Sequence, residues 1–278
     1  MIIEFVVQLK KFSLILLISF FCGLGFGQRG YELGVRTGFS HYFGDLNTNY
    51  QLNDAGFSLG ILGRRNLNER ISFAAGFDYG RISASDLDSN NNFQRMRNLD
   101  FKSNIFDLNV VMEFNFFPYI HGSNENYYSP YIFGGLSFLK FNPTTEYNGE
   151  SYSLRDLGTE GQQNGQEYAL FSSAFVFGIG FKWDINRDWS LNASLSGRNV
   201  FSDYIDDVSS EYPDFLSLQA RRGAIAVALS DRSPDPDFAR IGMQRGNGKN
   251  NDVIYFMQIG LMRYFGELPC PSISKSIY

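Results

Sequence analysis

The sequence predicts an all-β protein, an eight-stranded antiparallel up-and-down transmembrane β-barrel, on three observations. Apolar and polar residues alternate with period two in eight separate segments. The connections between those segments alternate between short and long. Aromatic residues make up 17% of the 278 residues, yet mean hydropathy is only −0.21, so apolar side chains are interleaved with polar ones.

The exception is the N-terminus. Lys10 and Lys11 precede the apolar run FSLILLISFFCGLGFG, Phe12 to Gly27, and polar sequence follows. A cationic start, a short apolar core and small residues at Gly25 and Gly27 describe a secretory signal peptide over 1–27, cleaved between Gly27 and Gln28. A permanent anchor would need about 20 apolar residues. The bulky Phe21 before Cys22 argues against a lipoprotein signal. With Cys22 gone, Cys270 is the single thiol of the mature chain, which excludes a disulfide framework. The barrel is expected over 28–266, with a long last outer loop at about 200–252, followed by a periplasmic tail over 267–278.

The strands follow in order. YELGVRTGF sets Tyr31, Leu33, Val35 and Phe39 on one face against Glu32 and Arg36 on the other. Less regular alternation runs from Phe57 to Arg64 and from Ile71 to Arg81. From Phe106 to Phe116 every even position is apolar, while Asp107, Asn109, Glu113 and Asn115 lie between them. A fifth segment spans Tyr131 to Lys140. SAFVFGIGFKWD opposes Phe175, Phe177, Ile179, Phe181 and Trp183 to Gly178, Gly180, Lys182 and Asp184. DWSLNASLSGRN opposes Trp189, Leu191 and Leu195 to Ser190, Asn192 and Arg198, and the last segment is Val253 to Phe265. The polar face is small enough for a narrow lumen; the other is a band of Phe, Leu, Ile and Val with Tyr or Trp near its ends, as lipid requires. Closure leaves no unpaired backbone in hydrocarbon.

The connections RNLNER and DINRDW are tight and HGSNENYYSP is intermediate, whereas long ones start near His41, Ile82, Phe141 and Val200. Short periplasmic turns and long outer loops sort in this way in an outer-membrane barrel. A soluble sandwich has no reason to sort its loops by parity.

A net charge of −5 without a basic cluster excludes nucleic acid as a partner. Catalysis at a barrel rim usually needs a histidine base, and only His41 and His121 exist. His41 shares a register with Tyr31 and Phe39, so it is expected to point outward or lie beyond the strand; His121 falls in a connection at the opposite end. An enzyme, a cofactor and a transition-metal site are therefore not expected. The lumen charges Arg36, Arg64, Arg198, Glu32, Asp107 and Glu113 are expected to pair with one another rather than line a pore.

The last outer loop begins with SDYIDDVSSEY, whose Asp203, Asp206, Asp207 and Glu211 raise the question of calcium. The spacing and glycine of a dedicated calcium loop are missing. A clasp is the reading adopted: Asp203, Asp206 and Asp207 fix loop geometry by bonding to the backbone, with Arg245 and Lys249 from RGNGKNND, at the other end of the loop, as rim-exposed ion partners. Between them AIAVAL, Ala224 to Leu229, is expected to form a brief strand or helix or to pack over the mouth; the prolines of SPDPDF stop any helix.

Three of these stretches, ELGVRTGFSHYFGDLN (Glu32–Asn47), SDYIDDVSSEY (Ser202–Tyr212) and RGNGKNNDVIYF (Arg245–Phe256), together resemble the PorG-type, DUF6089-like outer-membrane barrels of the type IX secretion system. SPYIFGGLSFLKFNP, Ser129–Pro143, is similar to the middle strand of that family, and the resemblance runs from about Tyr31 to Phe265. It implies a non-enzymatic barrel in the outer membrane of a Gram-negative bacterium, with both termini periplasmic. The implied partners are outer-membrane lipid, a periplasmic ring lipoprotein with its partner subunit, and other outer-membrane secretion barrels. The implied work is protein export and, in some bacteria, gliding. The alternative is a free-standing small barrel acting as a narrow pore or a surface-binding protein. One departure is the tail ELPCPSISKSIY after Phe265, with Pro269, Cys270 and Pro271.

Overall fold

The structure, a computed structural model, describes residues 30–48 and 54–266. The leader with its Gly27–Gln28 cleavage site and the 267–278 tail lie outside the described residues. The barrel strands are β1 (Gly30–Phe43), β2 (Ala55–Asn66), β3 (Ile71–Ser85), β4 (Asp100–Asn115), β5 (Tyr128–Lys140), β8 (Phe171–Asp184), β9 (Trp189–Val200) and β10 (Val253–Gly266). A small hairpin, β6 (Thr144–Tyr147) and β7 (Glu150–Ser153), sits in the connection after β5. Each barrel strand pairs antiparallel with its neighbours in the order β3-β2-β1-β10-β9-β8-β5-β4, and β4 closes back on β3. The seam between the first and last strands pairs Gly30 with Gly266 and Phe43 with Val253.

Each of the eight expected segments is a strand. They run further at the loop end than alternation indicated: β1 reaches Phe43, β3 reaches Ser85 and β4 begins at Asp100. The reason is coverage. Ser40, His41 and Tyr42 are all buried, because loops pack over the outward side of the strand there and the inside–outside contrast disappears. His41 accordingly lies within β1 and is covered rather than lipid-facing, with Asn47 Nδ2 3.1 Å from its Nε2.

Elsewhere the alternation is clean. In β4, Phe106, Leu108, Val110, Met112 and Phe114 are exposed on the outer wall, while Asp107, Asn109, Glu113 and Asn115 are buried inside. The tight turns use one device twice. Asn68 Oδ1 accepts from the amides of Arg70 and Ile71, and Asn186 Oδ1 accepts from those of Asp188 and Trp189.

The lumen is filled by ion pairs in two clusters. Toward the turn end, Arg64 lies 2.7 Å from both Glu32 and Glu113, and Lys182 lies 2.6 Å from Glu113. Further along, Asp78 joins Arg36 at 2.5 Å and Arg198 at 3.2 Å, and Arg198 also meets Asp107 at 3.0 Å. Such pairs gain little over apolar packing, but removing one partner costs about 3–5 kcal/mol by stranding the other. The connection 116–127 covers the turn end, where His121 sits 3.0 Å from Asp184 and 3.1 Å from Glu32 and stacks on Tyr264 at 4.2 Å.

Candidate functional site at the loop end

Above the lipid band the lumen becomes apolar. Tyr42, Ile82, Phe101, Ile105, Leu139, Phe141, Val200, Ile205, Val208, Leu229, Ile254 and Phe256 form one buried cluster, drawn from strands and loops alike. Loop residues enter this core because the outer connections carry their own secondary structure: α1 (Asn92–Arg97), α2 (Leu154–Leu157), α3 (Phe215–Arg222) and α4 (Ala224–Ser230). Asn91 caps α1 through the amide of Phe93, and Asp214 caps α3 through that of Leu216. Gly223, at φ 87°, breaks α3 from α4, a backbone angle that glycine adopts without strain. The AIAVAL stretch is thus a helix, with Ala226 and Leu229 buried against the core.

Two buried arginines stitch the cap together. Arg245 bonds Glu160 at 3.1 Å, the Asp207 carbonyl at 2.5 Å and the Asp207 carboxylate at 3.4 Å. Arg97 forks onto both oxygens of Asp86 at 2.8 Å and donates to the carbonyls of Arg245 and Asp45. Glu160 also accepts from the amides of Ser209 and Ser210. Asp207 sits at φ 69° and accepts from the hydroxyls of Thr159 and Tyr168. One network therefore ties the loops after β1, β3, β5 and β9.

A third node lies deeper. The Tyr42 hydroxyl is 2.6 Å from Asp206 Oδ2 and 2.8 Å from Asp252 Oδ1. A phenol carries one proton, so bonding both carboxyls requires a second proton on one of them. Asp206 Oδ1 also accepts from the Val208 amide and Asp252 Oδ2 from that of Ile205. Burial raises both carboxyls well above the usual carboxylate range, and their mutual repulsion pushes Asp206 further. Burial also pushes Asp207 up to about 6 against the pull of Arg245, and Asp203 up to about 7. His121, at the turn end, moves up to about 9: burial opposes its charge, but Asp184 and Glu32 outweigh it.

The sequence-predicted residues separate here. Asp207 and Arg245 meet, but both are 1% exposed, so this is a buried contact and not the rim-exposed pair expected. Asp206 bonds Tyr42 rather than a cation. Asp203 is partly buried, and Glu211 is exposed, with a short backbone bridge to Gln244. Lys249 is exposed and forms no ion pair among the described residues. Asp203, Asp206, Asp207 and Glu211 face different partners, and no described group of three or more His, Cys, Asp or Glu is arranged to hold a metal. Sequence reasoning missed Tyr42, Asp86, Arg97, Glu160 and Asp252. Tyr42 and Asp252 lie inside stretches singled out by pattern; Glu160 and Arg97 carry no local signal, lying 85 and 148 residues from their Arg245 contacts.

The family model described as a domain of unknown function, DUF6089, matches residues 10–224. The chain belongs to this family. No curated protein matches it significantly. Among solved structures, the attachment invasion locus protein Ail of Yersinia pestis, in complex with the heparin analogue sucrose octasulfate, is 11% identical. It matches over 86% of this chain and 99% of that one, with a TM-score of 0.43. Neisserial surface protein A is 11% identical over 85% and 97% at a TM-score of 0.41. The outer membrane protein OprG from Pseudomonas aeruginosa is 10% identical over 88% and 99% at 0.39.

Proposed function

We propose that this chain is a non-enzymatic outer-membrane component of the type IX protein secretion machinery, which also drives gliding where gliding occurs. In this role it anchors a periplasmic ring, made of a lipoprotein and its partner subunit, to the outer membrane. The observation that carries a scaffold reading is the filled interior. Buried ion pairs occupy the lumen, 116–127 covers one end and the stitched cap covers the other. A barrel of this kind offers other molecules its wall and its two ends. The outer membrane is supported by the closed apolar wall, and the tight turns at 67–70 and 185–188 support a reading in which the turn end is the periplasmic, ring-facing side. The secretion role itself rests on the resemblance of Glu32–Asn47, Ser202–Tyr212 and Arg245–Phe256 to PorG-type barrels.

Crosslinking in intact cells followed by affinity purification tests it. Recovery of a periplasmic lipoprotein with its ring partner is expected; recovery of lipid and unrelated barrels alone would sink the assignment. A surface-binding role is the second reading, favoured by Leu216 and Ile241, which stand 80% and 67% exposed on the cap. Loss of export on deletion separates the two, because a free-standing binder would leave export intact.

A further inference from the structure

The wall at the turn end differs between its two halves. Around β4, β5 and β8 the strands present Phe114, Tyr128, Phe181 and Trp183 without an outward cation; the exposed Arg70 and Arg187 lie in the adjoining turns, and Arg70 is engaged by the Phe116 carbonyl. Around β2, β1, β10 and β9 the same belt carries two outward arginines. Arg65 lies beside Tyr31 in the register of β1 with β2, its guanidinium 5.6 Å from that ring. Arg263 lies beside Trp189 in the register of β9 with β10, 5.8 Å from the indole and 5.3 Å from Phe265. Arg65 is level with Tyr31 and Arg263 with Leu33, two residues further along, so the two arginines flank β1 about 12 Å apart, two strand spacings across and two residues along.

Neither arginine forms an ion pair among the described residues, and each is exposed on the face that meets lipid. A cation–π contact orients a guanidinium but leaves its charge uncompensated. Aromatic belts lie at headgroup depth, where the available counter-ion is a lipid phosphate. The wall above Arg65 is shaped as well as charged. Gly63 pairs with Ala75 and Leu33, and a side chain added at Gly63 would meet nothing nearer than the Ala75 carbonyl at 3.8 Å. The result is an open notch between Leu33 and Ile61, both exposed, which starts level with Arg263 and lies on the membrane-centre side of Arg65.

We propose that this face binds one anionic phospholipid, with its headgroup phosphate between Arg65 and Arg263 and an acyl chain in the Gly63–Ala75 notch. A basic side chain at an anionic surface contributes about 1 kcal/mol, a factor of roughly five. Two should therefore favour phosphatidylglycerol over phosphatidylcholine by about twenty-five-fold.

The test is native mass spectrometry of the detergent-purified full chain, titrated with phosphatidylglycerol or phosphatidylcholine. Wild type should retain phosphatidylglycerol preferentially, and R65Q/R263Q should lose the preference while keeping heat-modifiable migration. G63L, which fills the notch without touching a charge, should weaken retention of both lipids. K140Q, whose lysine sits over Phe171 at the loop end, should behave as wild type. Equal binding of the two lipids by wild type, or an unchanged preference in R65Q/R263Q, would overturn the proposal. So would displacement of the lipid by excess inorganic phosphate, which would mark an anion site that needs no lipid.

Discussion

The two ends of the barrel solve one problem with opposite chemistry. Toward the turn end the interior is held by charge: Arg64, Glu32, Glu113 and Lys182 are nearly inaccessible and touch one another. At the loop end it is held by an apolar cluster like that of a soluble domain, with Phe101, Phe141 and Phe256 at 0–1% exposure. The difference follows from what lies outside the wall. Within the membrane the apolar residues are needed on the outer face, so the narrow lumen receives the polar ones and must pair them. Beyond the membrane the wall no longer faces lipid, and the apolar residues can turn inward.

This contrast predicts that the ends fail separately. Arg64→Met removes the cation that Glu32 and Glu113 share, leaving His121 and Lys182 as their charged partners, and should cost about 3–5 kcal/mol. The expected result is a lowered melting temperature of the heat-modifiable band, with cap proteolysis unchanged at temperatures where the barrel stays folded. Phe141→Ala opens a cavity in the cap core at about 3–5 kcal/mol. It should make the 201–252 connection readily nicked while the barrel still migrates as folded. A lumen variant that nicked first at the cap, or a cap variant that melted the barrel, would break the division.

A smaller effect sharpens it. Asp207→Ala leaves Arg245 with Glu160 as its remaining carboxylate and should cost about 1–3 kcal/mol. Faster nicking in the same connection is expected, and the rate should be unmoved by Lys249→Ala, because that lysine is exposed and forms no ion pair among the described residues.

The smallest effect is pH, and it distinguishes the ends by window. Asp203 and Asp207 are raised from 3.8 to about 7 and about 6, so their contribution is fully present below 3.8 and lost as pH rises through those values. The buried Asp206 and Asp252 act in the same direction. His121 is raised from 6.5 to about 9; its contribution is complete below 6.5 and lost as pH passes about 9. Hydrogen-exchange protection, taken relative to the intrinsic rate at each pH, should therefore fall in 201–252 first as pH is raised, and in 116–127 only at alkaline pH. Simultaneous onset would count against separate devices.

How legible this was differs in the same way between the ends. The membrane half was readable because lipid enforces a period of two: Phe106 to Phe116 against Asp107 to Asn115 announces both face and register. Its charged contents were readable for the same reason, apart from Asp78, hidden in the less regular FDYGR, which turns out to join Arg36 and Arg198. The cap was not. Tyr42 meets Asp206 and Asp252 across 164 and 210 residues, and no local pattern encodes a contact at that range. The clasp partners Asp207 and Arg245 were visible as an acidic and a basic cluster, but their burial depends on Glu160 and Tyr168 from another loop. Helix α3 was overlooked because its eight residues are too few for helical periodicity to stand out.

The seam pairs Gly30 with Gly266 through the same ladder that joins every other neighbouring pair of strands. Position in the ring is therefore independent of position in the chain: hydrogen bonding gives the cylinder neither a first stave nor a last one. A short link from 266 to 30, with the polypeptide opened inside 201–252, would number the same staves from a new origin. The wall, the lumen pairs and the turn-end belt would keep their neighbours, because each is defined around the circumference rather than along the thread.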